Sequence, residues 1–157
     1  MSYTDQFKTS NFRVVLRNDM KNLEFFATEA SIPSVTIGTI EAGWQSMKDK
    51  RPGDSLDYEP LALTTIVDED FQIYTDFYAL LNTTHNPKTN RIQVTPEVFD
   101  LTIFITTNKN NPIYSVTFYD AWIQTISAIE LQTISGDDNG IKVTIGISYN
   151  YFLLNKE

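Results

Sequence analysis

The chain has 157 residues, 41% of them hydrophobic and 13% aromatic, enough to bury a core without covalent staples and too apolar for a disordered segment. It contains no cysteine, which removes disulfides, thiolate nucleophiles and thiolate metal sites together. Its formal charge of −8 repels phosphate backbones and argues against a basic grip on nucleic acid.

Along the chain, strand signals dominate. "MSYTDQFKTSNF" (1–12) carries neither an apolar run nor a small-residue cleavage site, so no secretory leader is expected. "NFRVVLR" (11–17) and "NLEFFATEA" (22–30) read as strands, and the "NDMK" between them reads as a hairpin turn. "VTIGTIEAGW" (35–44) follows Pro33, which marks a new strand. "MKDKRPGD" (47–54) mixes charge with Pro and Gly and reads as a protruding loop or hairpin tip, placed at 45–55. "LDYEPLALTTIV" (56–67) is rich in β-formers, with Pro60 demanding an edge or a bulge.

One helix is expected next. In "DEDFQIYTDFYALL", Phe71, Tyr74, Tyr78 and Leu81 form one helical stripe, with Asp68 as N-cap and Glu69 and Asp70 in the first turn. "NTTHNPKTN" (82–90) has no periodicity and reads as an exposed loop. "FDLTIFITT" (99–107) alternates, with Leu101, Ile103 and Ile105 on one face, and 113–132 is two strands or one bent strand. "SGDDNG" (135–140) is a turn into "IKVTIGISYNY" (141–151). There Ile141, Val143, Ile145, Ile147, Tyr149 and Tyr151 share one face, and the run would reach ~36 Å as a single strand. The expected architecture is one mainly β domain over 1–157, an antiparallel β-sandwich or barrel with one flanking α-helix and a flexible arm at 1–10.

Reactive chemistry is sparse. Asp68, Glu69 and Asp70 are the only dense carboxylate cluster, and they lack both calcium-loop spacing and a partner that would separate their pKa values. A solvated helix start explains them. His85 is the only histidine and sits in a polar loop with no serine to activate and no second histidine to share a metal. The glycines form no phosphate-cradling loop. The sequon at Asn82 lacks a route to a glycosylating compartment, and no run approaches the ~20 apolar residues of a membrane helix. No catalytic, metal or cofactor site is expected. What remains is a charge contrast: Lys48, Lys50 and Arg51 beside Asp54, followed downstream by Asp68, Glu69 and Asp70. Opposite charges on different surfaces of one protomer suit a head-to-tail contact between copies.

The order of elements resembles the tail-tube protein family of contractile-tailed bacteriophages and related injection machines. A hairpin leads into "ATEASIPSVTIG" (27–38), then come the charged "KDKRPGD", a strand ending in "IVDEDF", a helix closing in "FYALL", "YDAWIQTISAIELQ", and a terminal "IKVTIGISYNYF". The likeness covers roughly residues 11 to 152 and departs from the family at Trp122, which is followed by Ile123 where Pro is frequent. The resemblance implies hexameric rings stacked head-to-tail into a hollow tube, with strands of neighbouring copies completing a shared inner β-barrel. It implies tail sheath and baseplate proteins as partners, DNA passing without specific binding, assembly in the host cytoplasm and a place in the virion tail. A tube initiator or tail terminator is the alternative within the same machine. Outside it stand a carbohydrate-binding module using Trp44 and Trp122, and an enzyme using the cluster at 68–70.

Overall fold

A computed structural model describes residues 11–16, 27–44, 47–92, 97–131 and 140–157, with only the backbone described for Trp44 and Met47. In chain order the elements are β1 (Phe12–Leu16), β2 (Ala27–Ala30), β3 (Val35–Trp44), β4 (Met47–Tyr58), β5 (Leu61–Ile66), α1 (Gln72–Thr84), β6 (His85–Asn86), β7 (Arg91–Ile92), β8 (Phe99–Thr106), β9 (Pro112–Ile126), β10 (Lys142–Ser148) and β11 (Tyr151–Lys156). All the pairings are antiparallel. β1, β8, the first part of β9 and β11 form one sheet, while the end of β9 joins β10, β5 and β2 in the other.

The two sheets meet at a corner built into β9. Its register against β8 slips between Phe99 and Leu101, which sets Tyr119 and Asp120 opposite Asp100. Asp120 takes φ 52, a left-handed conformation that aspartate tolerates better than most residues. Alongside, β10 ends at Ser148 and β11 begins at Tyr151, so the partner strand breaks at the same level. Asn150 spans the break, its backbone N–H donating to the Tyr119 carbonyl at 3.1 Å and its side-chain amide to Asp120 Oδ2 at 3.0 Å. The expected long strand over 141–151 is therefore divided. A bulge and a turn bend the ladder so that both sheets can face one core.

That core follows from strand alternation. Leu101, Ile103, Val116 and Phe118 face inward from the first sheet, and Leu61, Leu63, Val143, Ile145 and Ile147 from the second. Phe118, Tyr149 and Phe152 pack as an aromatic cluster that Tyr58 extends, with centroids 4.9–6.1 Å apart. Tyr149 donates its hydroxyl to the Glu59 carbonyl at 2.7 Å. On the outward side of the second sheet, β-carbons are not welcome at Gly146, where one would collide with the Thr125 side chain.

Several expectations change. β1 pairs β8, and β2, the described end of the second expected strand, pairs β5 in the other sheet; the turn and residues 22–26, where the expected hairpin would close, lie outside the described residues. Pro60 marks neither an edge nor a bulge but the break between β4 and β5, the latter an inner strand. The helix begins later than expected, with Phe71 at its mouth in a left-handed conformation (φ 59), and it runs on through Thr84. Asp68 is thus not the N-cap and Glu69 and Asp70 are not in the first turn, although Asp68 Oδ1 still accepts the Ile73 N–H at 3.2 Å. The segment after the helix is not a plain loop, since β6 and β7 form a small hairpin. The 1–10 arm and residues 135–139 of the expected turn lie outside the described residues.

Candidate assembly surface

The charged segment at 47–54 is extended strand rather than loop. β3 and β4 make a long hairpin, registered from Val35 against Tyr58 out to Trp44 against Met47. Charged residues form strand here because the main-chain ladder needs only a partner, not a core. Where Ile37–Leu56 gives way to Thr39–Pro52 the register shifts, and Gly53 lies so close to Gly38 that a β-carbon would sit 2.7 Å from its carbonyl oxygen. Val35, Ile37, Ile40 and Leu56 on this arm are all exposed, Ile37 and Leu56 each at 52%. Only Tyr58, at the base of β4, packs against the core from this hairpin among the described residues.

Its charges are partly matched at home. Lys48 Nζ lies 3.4 Å from Glu41, and Arg51 Nε donates to Asp49 at 3.2 Å. Exposed pairs of this kind contribute about 0–1 kcal/mol each, so they do not lock the side chains away. Lys50, opposite Glu41 on β4, and Asp54 are exposed. Asp68, Glu69 and Asp70 sit on a separate element, the turn between β5 and α1, with Glu69 and Asp70 exposed. The hairpin residues and the acidic turn are thus two patches on one protomer.

The helix carries the main surprise. Its buried residues are Ile73 and Phe77, an i, i+4 pair with Phe77 only 1% exposed, and Tyr74, Leu80 and Leu81 pack against the core beside them. The stripe expected from the sequence is therefore split, with Tyr74 and Leu81 reaching the core and Phe71 and Tyr78 exposed. Tyr74 and Tyr78 are parallel at 6.4 Å between centroids, and Phe71 lies 5.2 Å from Tyr74. This ladder begins directly after Glu69 and Asp70. Sequence periodicity found the stripe but could not say which way it faced.

The remaining candidates for chemistry are dispersed. His85 shares a 3.1 Å hydrogen bond with Asn90 inside the β6–β7 hairpin, and no three acids or histidines converge on a metal-sized site among the described residues. Trp122 is half-buried and Trp44 ends β3. On the outward face of the first sheet, Val15, Asp100, Thr102, Phe104, Thr117 and Tyr119 line an open groove of 380 Å³ that sequence reading missed. The outward face of the second sheet is hydroxyl-rich, with Thr64 and Thr144 3.1 Å apart and Ser148 donating to Gln124 at 2.6 Å. β1 and β11 flank the first sheet and β2 the second. No described helix is long and apolar enough to cross a membrane.

Comparison with known proteins fits this geometry. The fold is similar to that of a chain in the tube-terminating cap of the anti-feeding prophage, with a TM-score of 0.77 at 16% identity, covering 100% of this chain and 95% of that one. It is also similar to a chain in the extended sheath–tube complex of an extracellular contractile injection system, with a TM-score of 0.72 at 13% identity, covering 99% and 95%. In sequence, the chain is 27% identical to the tail tube terminator protein of Enterobacteria phage T4, over 98% of this chain and 91% of that protein. A family model described as phage tail tube protein matches residues 1–155, nearly the whole length, and the chain belongs to that family.

Proposed function

We propose that this chain is the subunit of a closed ring at the end of a tail tube, a terminator that caps the stacked rings beneath it. The observation that carries the reading is the exposed β3–β4 arm: a domain with a core of its own extends a long hairpin whose Val35, Ile37, Ile40 and Leu56 are exposed. Such an arm is completed by another subunit. Its likeness to the phage T4 tail tube terminator supports the terminal position. A second reading, a repeating subunit of the tube itself, is favoured by the description of the matching family. Both are structural roles, with no reaction to catalyse.

On this reading Lys48, Lys50, Arg51 and Asp54 reach toward an adjacent copy or ring, and Asp68, Glu69 and Asp70 belong to the surface that receives them. Copies of this chain are the first partners, with sheath and baseplate proteins of the same machine beyond them. DNA passes the ring without being gripped. The hydroxyl-rich face of β5 and β10 supports this, because it offers a polyanion hydrogen-bonding groups without a cationic patch.

The test is assembly of the purified chain, followed by negative-stain microscopy. Closed rings that do not elongate support the terminator, and long tubes support the repeating subunit. A chain that stays monomeric at every concentration, even with tube ends present, refutes both. Reversing charge at Lys48, Lys50 and Arg51 is expected to weaken association while leaving the thermal melt of the protomer unchanged.

A further inference from the structure

We infer that the outward aromatic face of α1 is the docking surface for the β3–β4 hairpin of a second copy of this chain. The inference rests on the ring reading above and identifies which two surfaces meet. The argument begins with α1. Phe71, Tyr74 and Tyr78 form a continuous ladder about 10 Å long on the helix flank next to the buried Ile73 and Phe77, and it starts beside Glu69 and Asp70. Tyr74 packs partly against the core, but the rings on either side of it, Phe71 and Tyr78, are exposed and cost solvation without serving that core. Aromatic faces flanked by carboxylates recognise one kind of ligand well: a cation carried on an apolar stem.

The hairpin supplies that ligand. Alternation along β3 puts Val35, Ile37, Thr39 and Glu41 on one face, and cross-strand partners share it: Leu56 beside Ile37, Pro52 beside Thr39, Lys50 beside Glu41. This face is apolar near the body and, toward the tip, carries two lysines, Lys50 and Lys48, around the single carboxylate of Glu41, which lies 3.4 Å from Lys48. The α1 surface runs from aromatic at Tyr78 to acidic at Glu69. The two gradients match when the strand lies along the helix, with Ile37 and Leu56 over the tyrosines and Lys50 beside Glu69 and Asp70. Charge sets the direction and the apolar stripe supplies most of the attraction.

The absence of cysteine makes the test clean. Ile37→Cys and Tyr78→Cys are made in separate preparations, mixed in equal amounts, assembled and gently oxidised. A disulfide needs Cα atoms within about 7 Å, so a mixed disulfide dimer is expected at roughly tenfold the yield given by Ile37→Cys with Lys88→Cys. Independently, Tyr78→Ala and Ile37→Asp are each expected to raise the concentration for half-assembly by about tenfold or more, with an unchanged melt. If rings form and the mixed disulfide stays at the control yield, the docking assignment is wrong while the ring reading survives. If the parent chain forms no ring at all, the ring reading falls and takes this assignment with it.

Discussion

The body of this protein and its β3–β4 arm use the same strand chemistry to opposite ends. In β8 and β10, alternation hides Leu101, Ile103, Val143, Ile145 and Ile147 almost completely. In β3, the same period leaves Val35 and Ile37 open to solvent. The difference is not propensity, since both regions are rich in β-branched residues. It lies in what stands opposite each apolar face: a second sheet of the same chain in one case, and solvent rather than any described part of the protomer in the other. A period-two pattern therefore records that a face will be buried without recording whose surface buries it.

The comparison can be broken most forcefully from the body. Phe118 is fully buried and touches both Tyr149 and Phe152, so Phe118→Ala is expected to cost about 3–5 kcal/mol in chemical denaturation. A loss below about 1 kcal/mol would mean that this cluster is not the centre of the core. A smaller effect is expected at Tyr149, whose hydroxyl burial, with Tyr58 and Glu59 nearby, pushes its pKa up from 10.0 to about 12. Because the folded state holds the proton more tightly, this group contributes stability that is whole below pH 10 and is lost as pH rises toward 12. Tyr149→Phe is expected to flatten that alkaline slope in melts run across the window, while leaving the Glu59 carbonyl without its donor at a cost of about 1 kcal/mol.

The least change is expected from the arm. Leu56→Ser removes an exposed side chain, so the protomer is expected to lose less than about 0.5 kcal/mol. A large destabilisation of the isolated protomer would show that the hairpin serves its own body. It would erase the contrast between the two regions.

Legibility in the sequence followed the same division. β8 and β10 were readable because each has one wet and one dry face, and their alternation says so directly. The helix was readable as a helix, yet its orientation was not: Phe71, Tyr74 and Tyr78 make a stripe as regular as Ile73 and Phe77. What separates the two stripes is polarity, since Ile73 and Phe77 carry no polar atom while the tyrosine hydroxyls favour contact with water. Lys48, Lys50 and Arg51 could be singled out as a charged cluster, but "KDKR" looks like a loop, and only the register of β4 against β3 reveals a strand presenting those side chains on alternate faces.

The corner at Asp120 has a mechanical consequence. Since β9 passes unbroken from one sheet into the other, the two layers cannot slide apart as separate plates. Shearing them would first require rupture of the main-chain ladder that β9 makes with β8, β10 and β11. Load applied to one wall of the protomer is carried to the other along covalent backbone, so the molecule resists deformation as a single stiff shell.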